Sequence, residues 1–210
     1  MAQVVENKKT TTLTDYLRLR FKGVLDPIGA FLNRLGITPN ALTLTGLAGN
    51  MVGAYFLSQG QMTLGGIIIV VMGSIDALDG TMARLRGEPS NFGAFVDSVT
   101  DRYSELVTFL GLLIYYLNQD NWQNAIVVYL AAAGSVLVSY VRSRGETLGY
   151  EAKVGILTRF ERYAVLAPSL IFNIPMVGLW IVAVFANFTA LQRILHIRRQ
   201  AHAQFNKKAE

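Results

Sequence analysis

Leu64-Gly-Gly-Ile-Ile-Ile-Val-Val-Met-Gly-Ser-Ile-Asp76-Ala-Leu-Asp79-Gly80-Thr-Met-Ala-Arg84 is an apolar run that ends in two carboxylates. Its uncharged part is too long for the alternating pattern of a strand and suits a helix that crosses a bilayer, which needs roughly 20 mostly apolar residues. Ala125 to Tyr140 lies in a second stretch without charge. The 210-residue chain is 52% hydrophobic and only 16% charged, with a mean hydropathy of +0.36. A soluble domain is nearer a quarter charged, so composition points to an all-α integral membrane protein. There is no cysteine, so disulfides play no part. Met1 to Thr12 is polar and shows no signal-peptide core.

Six apolar segments follow from this reading: about 41–57, 64–84, 92–117, 122–142, 156–172 and 177–195. The gaps 58–63, 118–124 and 173–176 hold no Lys or Arg, so all 19 basic residues fall on the opposite side. The positive-inside rule then predicts six transmembrane helices with both termini in the cytoplasm. Residues 1–36 read as a cytoplasmic arm and a juxtamembrane amphipathic helix over Leu13–Gly36, interrupted at Asp26-Pro27 and lying on anionic lipid. Residues 37–198 read as the six-helix catalytic domain, and 199–210 as a basic cytoplasmic tail. Thr38-Pro39 has the form of an N-cap followed by proline at the first helical position. Gly49 and Gly53 lie four apart, a spacing for close helix contact.

The second span ends in Asp76 and Asp79, and the third begins Gly93-Ala-Phe-Val-Asp97-Ser-Val-Thr-Asp101. Spacings of three and four put each pair on one helix face. The short loop 85–91 predicts antiparallel neighbours whose carboxylate faces meet. At ~1.5 Å per residue, Asp76 and Asp79 lie about 21 and 25 Å from the outer end of their helix, and Asp101 and Asp97 about 24 and 30 Å from the outer end of theirs. All four fall in the cytosolic third of a core roughly 30 Å thick. Clustered carboxylates in low dielectric resist ionisation unless a cation offsets them. An oxygen-only set favours hard ions such as Mg²⁺, Mn²⁺ or Ca²⁺; four carboxylates suffice for two ions, and Mg²⁺ characteristically shares its shell with substrate phosphates. Ion pairing with Arg84, Arg86 and Arg102 would explain one aspartate, not four at this spacing.

The run Asp76-x-x-Asp79-Gly80-x-x-Ala83-Arg84, eight residues, then Gly93-x-x-x-Asp97-x-x-x-Asp101 resembles the signature of the CDP-alcohol phosphotransferases, with every fixed position filled. That resemblance implies metal-dependent transfer of a phosphatidyl group from a CDP-linked lipid, CDP-diacylglycerol or a related one, to an alcohol, with release of CMP. It implies Asp76, Asp79, Asp97 and Asp101 at the metals and Asp101 as general base. It implies Gly80, Arg84, Gly93, Asn40, Thr43 and Ser90 at the CDP-lipid. It further implies a homodimer in the cell membrane with its active site facing the cytoplasm, and no nucleic-acid partner.

The acceptor is read from a second basic cluster. Arg142 and Arg144 end the fourth span, Lys153 follows, and Arg159 and Arg162 open the fifth, three apart on one face. Convergent arginines suit a phosphorylated acceptor. Arg142, Lys153, Arg159 and Arg162 are therefore the candidate phosphate-binding residues. Ser139-Tyr-Val-Arg142-Ser-Arg144-Gly-Glu146 with Arg159-Phe-Glu-Arg162 also resembles the branch of the family that uses inositol 1-phosphate. Relatives often carry lysine at the place of Arg142 and proline at that of Phe160. Glycerol 3-phosphate is the alternative acceptor. A cation transporter is the alternative from another class, although transporter sites lie nearer the midplane at broken helices.

Overall fold

The computed structural model describes residues 13–87 and 90–209, with side chains for 22–87 and 90–206. Its order is α1 (Leu13–Arg34), α2 (Pro39–Ser58), α3 (Met62–Arg86), α4 (Asn91–Asn118), α5 (Trp122–Thr147), α6 (Arg159–Ile171) and α7 (Pro175–Ala209). The described residues are thus all-helical apart from their connections. Helices α2 to α7 overlap the six apolar segments one for one, with α5 and α7 running on past the ends read from sequence. Of them α3, α5 and α7 are long and apolar enough to cross a membrane by length and composition. Their outward faces are apolar, as Ile67, Val71, Ile126, Leu130, Trp180, Val184 and Phe188 show, all at least 40% exposed. Contiguous apolar exposure on this scale suits lipid rather than water. The other helices depart from the span pattern for local reasons. α4 carries Asp97, Asp101, Arg102 and Glu105, and α6, at 13 residues, is only about 20 Å long.

Side-chain caps set several helix starts. Thr38 accepts from Ala41 N at 3.2 Å with Pro39 at the first position, Ser90 from Gly93 N at 2.9 Å, and Asn121 from Asn124 N at 3.1 Å. Gly87, in the left-handed region at φ +69°, ends α3.

Two expectations are corrected here. α1 is not interrupted at Asp26-Pro27; the helix runs through it. Proline removes one backbone donor, a defect of about 3 kcal/mol, and contacts beyond it hold α1 onto α3. There Gly29 faces Thr81 and Leu85, Asn33 Nδ2 donates to Met82 O, and Arg86 donates to Asn33 Oδ1 at 2.7 Å and to Ile37 O at 2.6 Å. Half of the amphipathic pattern, Tyr16 to Phe21, lies in side chains 13–21, which with residues 1–12 fall outside those described. The second correction concerns α3 and α4, which scarcely touch each other despite their short loop. α2 is wedged between them and packs on both. Its glycines permit this: a Cβ at Gly49 would overlap the Met72 sulfur of α3, and one at Gly53 would sit 3.0 Å from Ile69. On the other flank, Gly111 of α4 rides directly on the Ala54 backbone. The short loop fixes where the ends meet, while the small-residue faces decide which flanks pack.

α5 packs on α7, and α6 on α3 and α7. The segment 148–158 has no helix of its own and is stitched to α7. Buried Arg193 donates to Val154 O at 2.8 Å and Val138 O at 2.6 Å, and Thr189 Oγ1 accepts from Leu157 N at 3.0 Å. Gln200 pairs with both backbone groups of Glu151, at 2.6 and 2.9 Å. These bonds satisfy polar groups that an apolar environment would leave costly. The positions 199–209, read from sequence as a tail, continue the same helix.

Candidate active site

The wedge of α2 leaves a cleft with α3 on one wall, α4 on the other and α6 closing the side. Residues three or four apart on α3 and α4 point into it because a helix repeats every 3.6 residues. Asp76, Asp97 and Asp101 converge there, with one carboxylate oxygen of each within 4.8 Å of the others. Two unit charges at that distance repel by about 3 kcal/mol at an effective dielectric of 20. The arrangement therefore needs a positive partner, and Arg159, the first residue of α6, supplies one. Its Nη2 lies 3.2 Å from Asp76 Oδ2 and also contacts Asp101 Oδ1. Arg102 adds a longer contact to Asp101, at 3.8 Å.

Asp79 takes a different direction. It is buried and turned toward α2, where its Oδ2 accepts from Thr43 Oγ1 at 2.5 Å. Thr43 Oγ1 also lies 3.1 Å from Pro39 O within α2, so its one proton is shared between the two acceptors and favours the nearer carboxylate. The structure thus brings three of the four aspartates into one cradle and sets the fourth beside it, oriented by a hydroxyl.

Of the six residues read as CDP-lipid contacts, Asn40 and Thr43 lie on α2, Gly80 and Arg84 on α3, and Ser90 and Gly93 at the start of α4, Ser90 as its cap. Gly80 faces open space: a Cβ there would meet only Arg84 Nη1, at 3.4 Å. Arg84 is exposed and donates to Thr81 Oγ1 at 2.9 Å. Gly93 lies beside Asn40, since a Cβ at Gly93 would sit 3.7 Å from Asn40 Oδ1. That Cβ would also press on Ser90 Oγ at 3.0 Å, so Gly93 makes room for the Ser90 cap.

The candidate acceptor residues separate. Arg159 reaches the aspartates. Arg162, one turn on, is 2% exposed and holds Glu105 of α4 through Nε at 2.7 Å and Nη2 at 3.0 Å. Arg142 pairs with Glu146 at 2.9 Å on the exposed surface of α5, and Lys153 is exposed in the segment before α6. Sequence reasoning missed Glu105. Its signal was present: it lies four residues past Asp101 and continues the face that carries Asp97. Tyr163 was also missed. Its hydroxyl donates to Ile69 O and rests on Gly73, tying α6 to α3 behind Asp76.

These elements enclose a cavity of about 60 Å³ lined by Asn50, Gly73, Asp76, Asp101, Glu105, Arg159 and Arg162 among others. As a metal site the cradle fits the chemistry of its donors. Three convergent carboxylates suit a hard divalent cation, and the guanidinium already bridging two of them shows that positive charge is accommodated there.

Comparison with known proteins agrees with this geometry. The family model for CDP-alcohol phosphatidyltransferase matches residues 36–198. A phosphatidylinositol phosphate synthase of Streptomyces avermitilis is 36% identical over 208 residues, which cover 90% of this chain and 84% of that protein. An archaetidylinositol phosphate synthase of Pyrococcus horikoshii is 37% identical over 186 residues, covering 88% and 96%. Among solved structures, the Mycobacterium tuberculosis phosphatidylinositol phosphate synthase with CDP-DAG bound superposes with a TM-score of 0.79 at 28% identity, covering 83% of this chain and 94% of that one. The same enzyme in complex with manganese and citrate gives the same TM-score. The aspartate signature, its convergence across α3 and α4, and these matches place the chain in the CDP-alcohol phosphatidyltransferase family, as a transferase.

Proposed function

We propose that the protein transfers a phosphatidyl group from CDP-diacylglycerol, or its ether-lipid counterpart, to a hydroxyl of inositol 1-phosphate, giving phosphatidylinositol phosphate and CMP. The observation that carries this reading is the convergence of Asp76, Asp97 and Asp101 inside the family signature. The similarity to synthases named for an inositol phosphate product supports the acceptor.

Asp76, Asp79, Asp97 and Asp101 would hold two Mg²⁺ ions, with Mn²⁺ as a substitute. The chemistry such a pair supplies when bound is neutralisation of the CDP pyrophosphate, which makes CMP a better leaving group. The remaining work belongs to the chain. Gly80 lets the nucleotide approach the α3 backbone, and Arg84, Asn40, Thr43, Ser90 and Gly93 surround it. Asp101 takes the proton of the acceptor hydroxyl as it attacks the lipid-side phosphorus. Arg159, Arg142 and Lys153 meet the acceptor phosphate, with Arg162 behind them fixed by Glu105.

The topology that suits these substrates has six spans, both termini in the cytoplasm and a cleft opening to the cytosolic side. Acyl chains then stay in the bilayer while CDP and the polyol phosphate remain in water. The enzyme works as a homodimer in the cell membrane. The test is metal-dependent CMP release from CDP-diacylglycerol in detergent, with inositol 1-phosphate, glycerol 3-phosphate, serine and free inositol as acceptors. Fastest release with inositol 1-phosphate is expected. Preference for glycerol 3-phosphate would replace the acceptor and leave the donor chemistry standing.

A further inference from the structure

One guanidinium sits where the proposed reaction needs a divalent cation. Arg159 contacts both Asp76 and Asp101, two of the three carboxylates that converge in the cleft. Its neighbour Arg162 has Nε and Nη2 committed to Glu105 and Nη1 to Leu157 O at 3.5 Å. The two arginines therefore differ in freedom. Arg162 is 2% exposed, whereas the Arg159 side chain is 46% exposed, at the first turn of α6 beside the segment 148–158. A guanidinium and a divalent ion compete for the same oxygens of Asp76 and Asp101, because either cation offsets the repulsion and the oxygens held by one are not open to the other.

We propose that Arg159 is a built-in surrogate cation: it holds Asp76 and Asp101 together until a divalent ion loads, and loading releases it to the phosphate of the acceptor. This rests on the metal-site reading above. It makes the metal the first ligand and the phosphorylated acceptor a later one. It also links the two sites: an anion that draws Arg159 away from the carboxylates tightens metal binding, and by reciprocity the metal tightens anion binding.

The test is a Mn²⁺ titration of the purified full chain in detergent without lipid or acceptor, following free Mn²⁺ by electron paramagnetic resonance. Arg159→Gln should bind Mn²⁺ more tightly than the parent, on the order of ten-fold. Arg159→Lys, whose ammonium cannot span two carboxylates as a planar fork does, should fall between the two. Adding inositol 1-phosphate should tighten Mn²⁺ binding more in the parent than in Arg159→Gln. Thermal unfolding of each variant in the same detergent confirms that folded protein is compared. Unchanged or weaker Mn²⁺ binding in both folded variants, in a parent that binds Mn²⁺ and releases CMP, overturns the surrogate role alone. A parent that binds no Mn²⁺ overturns it together with the metal-site reading.

Discussion

Arg162 and Glu105 join α6 to α4 through two parallel hydrogen bonds, of 2.7 and 3.0 Å, in the interior of the bundle. Removing one partner of a buried pair leaves an uncompensated charge and costs about 3–5 kcal/mol. Glu105→Ala and Arg162→Ala should each lower the unfolding temperature in detergent markedly. The double variant Glu105→Leu/Arg162→Met should recover much of the loss, since an apolar replacement leaves no orphan charge. A double variant as unstable as the sum of the singles would show that the pair is not acting as a unit.

Asp101 carries the proton in the proposed reaction. Asp101→Asn keeps the shape and an acceptor oxygen but cannot serve as a base. Turnover, measured as CMP release, should fall by about 10²–10⁴, while binding of CDP-diacylglycerol changes far less. Unchanged CMP release would remove Asp101 from that role.

Thr43 and Asp79 face each other at 2.5 Å across α2 and α3. Groups that orient a metal ligand typically contribute 10–100-fold in metal affinity or activity. Thr43→Val keeps the branched shape and loses the hydroxyl. Its Mg²⁺ requirement, read as the concentration giving half-maximal CMP release, should rise by roughly ten-fold. Thr43→Ser should restore it. If Thr43→Val needs no more metal than the parent, the hydroxyl does not orient a ligand.

Gly80 has open space where a side chain would begin. Gly80→Val should therefore fold, with an unfolding temperature close to the parent's, yet raise the KM for CDP-diacylglycerol. An unchanged KM would mean that the donor does not approach the α3 backbone at this point. Chelation offers the companion measurement. EDTA should abolish CMP release, and Mg²⁺ or Mn²⁺ should restore it.

Much of this architecture is legible in the sequence. The apolar runs marked where α2 to α7 lie, and three of these helices, α3, α5 and α7, are long and apolar enough to cross a membrane. The carboxylates of α3 and α4 announced a site because charges are rarely retained in such helices without function. Partner choice was not legible. Periodicity tells which residues share a face, not which helix that face meets. The sequence therefore did not show α2 entering between α3 and α4, nor Asp79 turning toward Thr43. The same gap explains Arg159 and Arg162: three apart on α6, they are equivalent as a pattern, but one turn of helix sends the second into the bundle toward Glu105. Pro27 shows the converse. The local rule predicts a break, and contacts of Gly29, Asn33 and Arg86 override it.

The segment 148–158 has no regular structure to give it a shape, and it receives one from α7 through Thr189, Arg193 and Gln200. Arg159 follows directly after that segment, so α7, which lines the cavity with Val182, also acts as a mould for the chain that leads into α6. Exchanging α7 for that of a relative would re-aim Arg159 with every residue of α6 left in place. Sequence variation far along the chain thus has a route to altering how the enzyme handles its cations.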